Sequence, residues 1–182
     1  MVKSFTFSAI LAATATLFLT STSILTEAVP VRREIQFGQT AAVISDTAYC
    51  LFLPPMPGGN IAESESDAVA FCNTQIPIAI GARLLPAGLV QTVHFVENTE
   101  EEWVQITGRM DISAYNLSPD DHGGQYDMRA PIGSTCAGYN AFVQITEPNL
   151  GTYCMRCCRN SDSCPTGRSE LGCAGLLGGN YS

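Results

Sequence analysis

Positive charge is scarce in this chain. Nine lysines and arginines stand against 17 aspartates and glutamates, and the only lysine is Lys3. No basic patch is available to neutralise phosphates, so nucleic acid and anionic membrane surfaces are poor partners. Histidine is almost as rare, with only His94 and His122, and no Gly-x-Ser-x-Gly elbow exists to present a nucleophile. The usual signature of a hydrolase with a serine or cysteine nucleophile is therefore missing. The acidic run of Glu97 and Glu100 to Glu102 lacks the Asp-x-Asp-x-Asp-Gly order that would place calcium ligands at fixed angles, and it reads as a solvated loop. No motif calls for a cofactor or a resident metal. The one long apolar run, Phe5 to Leu19, is broken by Ser8 and threonines and falls short of the roughly 20 residues a membrane span needs.

That run has another meaning. Lys3, the apolar stretch and the small residues from Ser21 to Ala28 follow the order of a secretory signal peptide. Residues 1–28 are expected to be removed, with 29–33 as a propeptide ending at the dibasic pair Arg32-Arg33; two solvated arginines are the bland alternative. The remaining chain, 34–182, has 149 residues, six basic and 16 acidic, for a net charge of −10. That length suits one domain around a single core.

Cysteine is what the sequence does have. Eight are present: Cys50, Cys72, Cys136, Cys154, Cys157, Cys158, Cys164 and Cys173. An even number behind a secretory leader reads as four disulfides. Cys154-x-x-Cys157 with Cys164 and Cys173 has some likeness to zinc-ligand spacing, but export and the adjacent pair Cys157-Cys158 favour disulfides. Roughly a hundred pairings are open to eight cysteines. Cys157 and Cys158 should take different partners, because a bridge between neighbours strains the intervening peptide. Cys136 is expected to pair with Cys157, and the segment Tyr153 to Cys158 to gather the rest of the fold.

The local pattern is mostly that of strands. Ala48 to Leu53 is a compact apolar run stopped by Pro54, Pro55 and Pro57. Val90 to Val96 and Trp103 to Gly108 predict a hairpin, as do Cys136 to Glu147 and Thr152 to Cys158 around the turn Pro148-Asn149-Leu150-Gly151. Phe142-Val-Gln-Ile-Thr echoes Trp103-Val-Gln-Ile-Thr, which suggests equivalent half-buried positions. One helix is expected from a cap at Ser64, with Asp67 three residues on and Ala68, Phe71 and Cys72 on one face, ending near Asn73 and Pro77. The fold class is therefore β-rich (α+β): a small disulfide-stapled single domain with an antiparallel sheet and one short helix.

One loop gathers the residue types that do chemistry. Asp120, Asp121, His122, Tyr126 and Asp127 cluster with Gly123 and Gly124, so this is the candidate ligand-binding or acid/base site. Glycoside hydrolysis needs only two suitably spaced carboxylates. Carbohydrate binding would instead use aromatic faces, for which Trp103, Tyr115, Tyr126 and Tyr139 are available, although they form no stripe in the sequence and Trp103 reads as core. His94 reads as a packed or surface residue. Asn116-Leu117-Ser118 is an N-glycosylation acceptor, followed by Pro119, and Asn180-Tyr181-Ser182 is a second, at the end of the sequence.

Taken in order, Cys50-Leu51-Phe52 with Pro54-Pro55, Val69 to Cys72, Leu85-Pro86-x-Gly88, His94 to Val96, Val104 to Gly108, Asp121 with Gly123-Gly124, Tyr153-Cys154-x-Arg156 and Gly172-Cys173 resemble a family of secreted fungal cysteine-rich proteins of unknown biochemical function. Some of its members are labelled macrophage-activating glycoproteins. The resemblance covers most of 34–182 and implies an extracellular compartment and a fold, but no reaction. Longer members continue into a Ser/Thr-rich stalk or anchor; without one, free secretion is expected. The expected role is that of a non-enzymatic binding or structural protein of a fungal surface or secretome, with an extracellular glycan or protein as partner. The rival is a secreted carbohydrate-active or metal-dependent enzyme using Asp120 to Asp127.

Overall fold

The computed structural model describes residues 39–182; the expected signal peptide and the dibasic site lie outside the described residues. The strands are β1 (Thr40–Ala41), β2 (Val43–Ser45), β3 (Ala48–Leu53), β4 (Val69–Cys72), β5 (Arg83–Leu84), β6 (His94–Asn98), β7 (Trp103–Arg109), β8 (Gly124–Asp127), β9 (Thr135–Cys136), β10 (Ala141–Glu147) and β11 (Thr152–Cys158). Among the described residues the one α-helix is α1 (Gly172–Leu176), one turn long. The strands form a five-stranded sheet in the order β6-β7-β11-β10-β8, a four-stranded sheet β2-β3-β4-β5 and a small pair β1-β9. The expected β-rich class with one short helix is the class found.

β11 is the central strand of the larger sheet, antiparallel to β7 on one side and β10 on the other. Residues opposite one another in such a ladder share a face, and successive residues alternate. Tyr153, Met155 and Cys157 therefore share the inner face with Val104 and Ile106 of β7 and with Phe142 and Gln144 of β10. Cys154, Arg156 and Cys158 share the outer face with Trp103, Gln105 and Thr107 of β7 and with Val143 and Ile145 of β10. The echoed pentapeptides flank β11 but are offset by one residue: Trp103 pairs with Cys158, whereas Phe142 pairs with Cys157. Similar sequences thus face opposite sides, because a one-residue slip inverts a strand.

The four-stranded sheet covers the inner face. Phe52 stacks on Phe142 with ring centres 5.0 Å apart, and Leu51, Leu53, Ile61, Ile106 and Met155 are wholly buried around them. The C-terminal segment 159–182 covers the outer face, where Cys164, Cys173 and Leu177 pack with Val143 and Ile145.

Four disulfides fix this arrangement, and no cysteine is free. Cys50–Cys72 joins β3 to β4, and Cys136–Cys157, the expected pair, joins β9 to β11. Cys154–Cys173 joins β11 to α1, and Cys158–Cys164 joins β11 to the segment that follows it. β11 thus holds one end of three of the four bridges, and its two adjacent cysteines point to opposite faces and to different partners.

The expected helix at Ser64 to Cys72 is not formed. Residues 61–67 make a series of turns, with Ala68 N–H bonded to Ser64 O at 2.9 Å, and Val69–Cys72 is strand β4, buried along its whole length. A short apolar run that is buried on every side carries no periodicity able to separate strand from helix. Pairing with β3, in which Cys50 stands opposite Cys72, decides it.

Candidate functional site

The candidate loop runs from the polar turn at Asp120 into edge strand β8, and the structure divides its residues by role. Asp121 is 5% exposed, Tyr126 0% and Asp127 7%, whereas Asp120 and His122 are exposed.

Asp121 accepts two backbone hydrogen bonds. Its Oδ1 takes the Gly123 N–H at 2.8 Å, an Asx turn, and its Oδ2 takes the Ile61 N–H at 2.8 Å. Gly123 has φ +88°, and a Cβ there would collide with the Thr146 carbonyl, so the turn needs glycine on both counts. Tyr126 completes the contact with Ile61 by donating its hydroxyl to Ile61 O at 2.9 Å. Two side chains of the loop thus saturate the backbone of one buried residue in the connection between β3 and β4. Burial drives the Tyr126 phenol far above its ordinary value, and the charge of Asp121 adds to the effect.

Asp127 plays a similar part at the far end of β8. Its Oδ1 accepts the Arg129 N–H at 2.7 Å and its Oδ2 the Gln125 amide at 2.9 Å, while Ser134 Oγ donates to its carbonyl at 2.8 Å. His122 makes no hydrogen bond to these carboxylates; its Nδ1 lies 3.1 Å from Nδ2 of Asn149, whose backbone N–H bonds to the Asp121 carbonyl at 3.0 Å. Asp120 directs its backbone N–H to Ser118 Oγ at 3.1 Å. The structure therefore joins Asp121 to Tyr126 through Ile61 and sets His122, Asp120 and Asp127 on separate partners. A depression of about 250 Å³ takes in Asp127, Met128, Asn140 and Thr166, but not Asp121, His122 or Tyr126. Among the described residues no three His, Cys, Asp or Glu side chains are gathered as a metal ion would require, and no helix is long and apolar enough to cross a membrane.

Of the aromatic residues weighed as a sugar platform, Trp103 and Tyr139 line one depression of about 200 Å³ together with Glu97, Glu102 and Arg159. Tyr115 and Tyr126 are buried. Trp103 is covered on one face by the Arg156 guanidinium at 4.2 Å and donates Nε1–H to Glu101 at 2.7 Å. Tyr139 lies under Arg159 at 5.9 Å.

Two polar residues that the sequence reading passed over hold the faces of the large sheet. Gln144, wholly buried, accepts the Phe52 N–H and donates to the Phe52 carbonyl, both at 2.7 Å. Arg156 donates to Gln105 Oε1 at 2.8 Å, Ser163 O at 3.0 Å and Leu177 O at 3.1 Å. Desolvation lowers its pKa, and the Glu101 charge opposes the shift. The signal was alternation: Arg156 lies between Cys154 and Cys158, so it shares their face, and Gln144 lies between Val143 and Ile145, so it faces the other way.

No protein-family model and no solved structure matches the chain. It is 29% identical over 162 residues to appressorium protein ROW1 of Mycosarcoma maydis, an alignment covering 79% of this chain and 37% of that protein. Over 152 residues it is 28% identical to appressorium protein ROW2 of the same organism, covering 73% of this chain and 51% of that protein. The chain thus spans about half the length of these relatives or less. It is a β-rich, four-disulfide protein distantly similar to fungal appressorium proteins.

Proposed function

We propose that this is a secreted, non-enzymatic protein of the fungal surface or its surroundings, serving as a binding or structural module from about residue 34 onward once the leader and dibasic segment are removed. The observation that carries this reading is the use made of the candidate loop. Both oxygens of Asp121 and both of Asp127 accept hydrogen bonds from within the fold, and His122 makes its contact elsewhere. A general acid or base must reach a substrate proton, and these carboxylates reach backbone and amide groups instead. Four disulfides suit an oxidising compartment. The names of the relatives associate them with the appressorium, a fungal setting that agrees with the family resemblance. The macrophage-activating label of that resemblance concerns other proteins and adds no activity here.

The test is to secrete the full chain from a eukaryotic host and assay the purified, oxidised product on arrays of fungal, plant and animal glycans, for capture and for turnover, with elemental analysis of the same sample. Capture without turnover, or silence followed by recovery of a surface protein partner, agrees with the proposal. Turnover of any glycan, abolished by Asp121→Asn or His122→Ala in a protein that remains folded, overturns it in favour of the enzyme reading.

A further inference from the structure

The two acceptor triplets stand in opposite structural circumstances. Asn116 caps the short turn Ile112–Tyr115 in the left-handed region, with φ 53° and ψ 29°. Its backbone N–H is bonded to Ser113 O at 3.2 Å. Tyr115 and Leu117 on either side are buried, so the turn anchors its neighbours inward and leaves Asn116 exposed. The residue between Asn116 and Ser118 is leucine, as the acceptor pattern permits, and Pro119 lies beyond the triplet. Asn180 is exposed too, but its side chain is engaged. Its Oδ1 accepts from Ser182 N at 2.9 Å and Ser182 Oγ at 2.8 Å, and its Nδ2 lies 3.4 Å from His94 Nδ1 on β6. Its carbonyl accepts from Thr107 Oγ1 at 2.7 Å, which holds this segment on the outer face of the large sheet.

We propose that Asn116 carries an N-linked oligosaccharide and that Asn180 does not; the proposal rests on the secreted reading above. In the transfer, Nδ2 of Asn116 forms a bond to the anomeric carbon of an oligosaccharide held on a lipid pyrophosphate. The bond from that carbon to the pyrophosphate oxygen breaks, the lipid pyrophosphate departs, and the amide gives up one proton. At Asn116 the product projects into solvent and leaves every hydrogen bond of the folded turn in place. At Asn180 the same group would have to share Nδ2 with the contact to His94 and would crowd β6. Asn116 lies four positions before Asp120 in the chain, and Asp121 and Tyr126 are buried.

The experiment expresses the full chain in a yeast secretory host, separates medium from cell contents, and treats each fraction with peptide N-glycosidase before mass spectrometry. The expected result is a single glycan on the chain in the medium, with Asn116 converted to aspartate on its release. Asn116→Gln and Ser118→Ala each abolish it, Ser118→Thr retains it, and Asn180→Gln leaves it unchanged. Two substitutions at different residues keep the assignment testable if either one impairs folding. A chain in the medium without a releasable glycan, or with one lost only in Asn180→Gln, overturns this proposal alone. A chain confined to the cytosol overturns the secreted reading and this proposal with it.

Discussion

The two faces of the five-stranded sheet are covered by different means. On the inner face a second sheet supplies the cover, and the contact is mainly apolar: Phe52 on Phe142, with Leu51, Ile106 and Met155 wholly buried. On the outer face the cover is the segment 159–182, whose regular structure amounts to single turns. A sheet brings its backbone groups already paired, so it can be buried for the hydrophobic gain alone. An irregular segment arrives with unpaired carbonyls, and each must find a donor or stay wet. The outer face meets that demand with side chains. Arg156 serves Ser163 O and Leu177 O, Gln105 serves Gly178 O, and Thr107 serves Asn180 O. Two disulfides, Cys154–Cys173 and Cys158–Cys164, then hold the segment where these bonds can form. The inner side uses the same device on the edge of β3 beyond the reach of β2, with Gln144 serving Phe52, and in the connection between β3 and β4, with Asp121 and Tyr126 serving Ile61.

The largest expected effect is that of reduction. Each bridge contributes roughly 2–4 kcal/mol, so breaking four removes about as much as the whole stability of a domain this size. Dithiothreitol without denaturant should unfold the chain, as followed by circular dichroism. A folded reduced protein would mean that the inner-face contact suffices by itself. Alkali comes next. All six tyrosines are pushed above their ordinary value, in each case chiefly by burial. A folded state that holds a proton the unfolded state releases is stabilised below the unfolded pKa, near 10.0, and loses that stabilisation as pH rises beyond it. The wholly buried phenols of Tyr126 and Tyr153 should therefore ionise only in a cooperative step above pH 10, together with loss of the fold. Their independent titration near 10 with the fold intact would contradict the burial of Tyr126 and Tyr153.

Single substitutions sharpen the contrast between the faces. Gln144→Leu strands the N–H and carbonyl of Phe52 in a dry interface and should cost about 3 kcal/mol in urea unfolding. Arg156→Met removes three hydrogen bonds and the stack on Trp103, yet water can reach the vacated carbonyls from the partly open outer face, so about 2 kcal/mol is expected. The reverse order would place the less replaceable polar contact on the loop-covered side.

Much of this was legible from the sequence where covalent and periodic signals agreed. The strands at Ala48 to Leu53, Trp103 to Gly108 and Thr152 to Cys158 carried β-branched and aromatic residues between turn signals, and the bridge Cys136–Cys157 is the one expected, although Cys136 stands on β9 beside β1 and not on a strand next to β11. The assignment failed at Val69 to Cys72, where full burial erased the alternation that distinguishes strand from helix. β8 was passed over because Gly124-Gln125-Tyr126-Asp127 is polar and glycine-bearing; its side chains are chosen to satisfy Ile61 and its own turn rather than to fill a core. The candidate loop stands out by composition, with two glycines, three aspartates, a histidine and a tyrosine within eight residues. Composition could not say whether Asp121 aimed at a ligand or at an N–H sixty residues earlier in the chain.

The smallest expected effects fall within that loop, and they separate its buried half from its exposed half. Asp121→Asn retains one acceptor oxygen but sets an amide donor against a backbone N–H, so about 1–2 kcal/mol should be lost. His122→Ala removes an exposed ring with one side-chain partner and should change stability by less than about 0.5 kcal/mol. Urea midpoints of the two variants, measured side by side, give the difference. Equal and small values would free Asp121 from its structural duty and make it available for chemistry. Equal and large values would mean that the His122–Asn149 contact fastens the loop to the turn after β10 as firmly as Asp121 fastens it to Ile61. The expected inequality assigns the carboxylate to the fold and leaves His122, with Asp120, as the part of the loop that a partner can touch without unfolding anything.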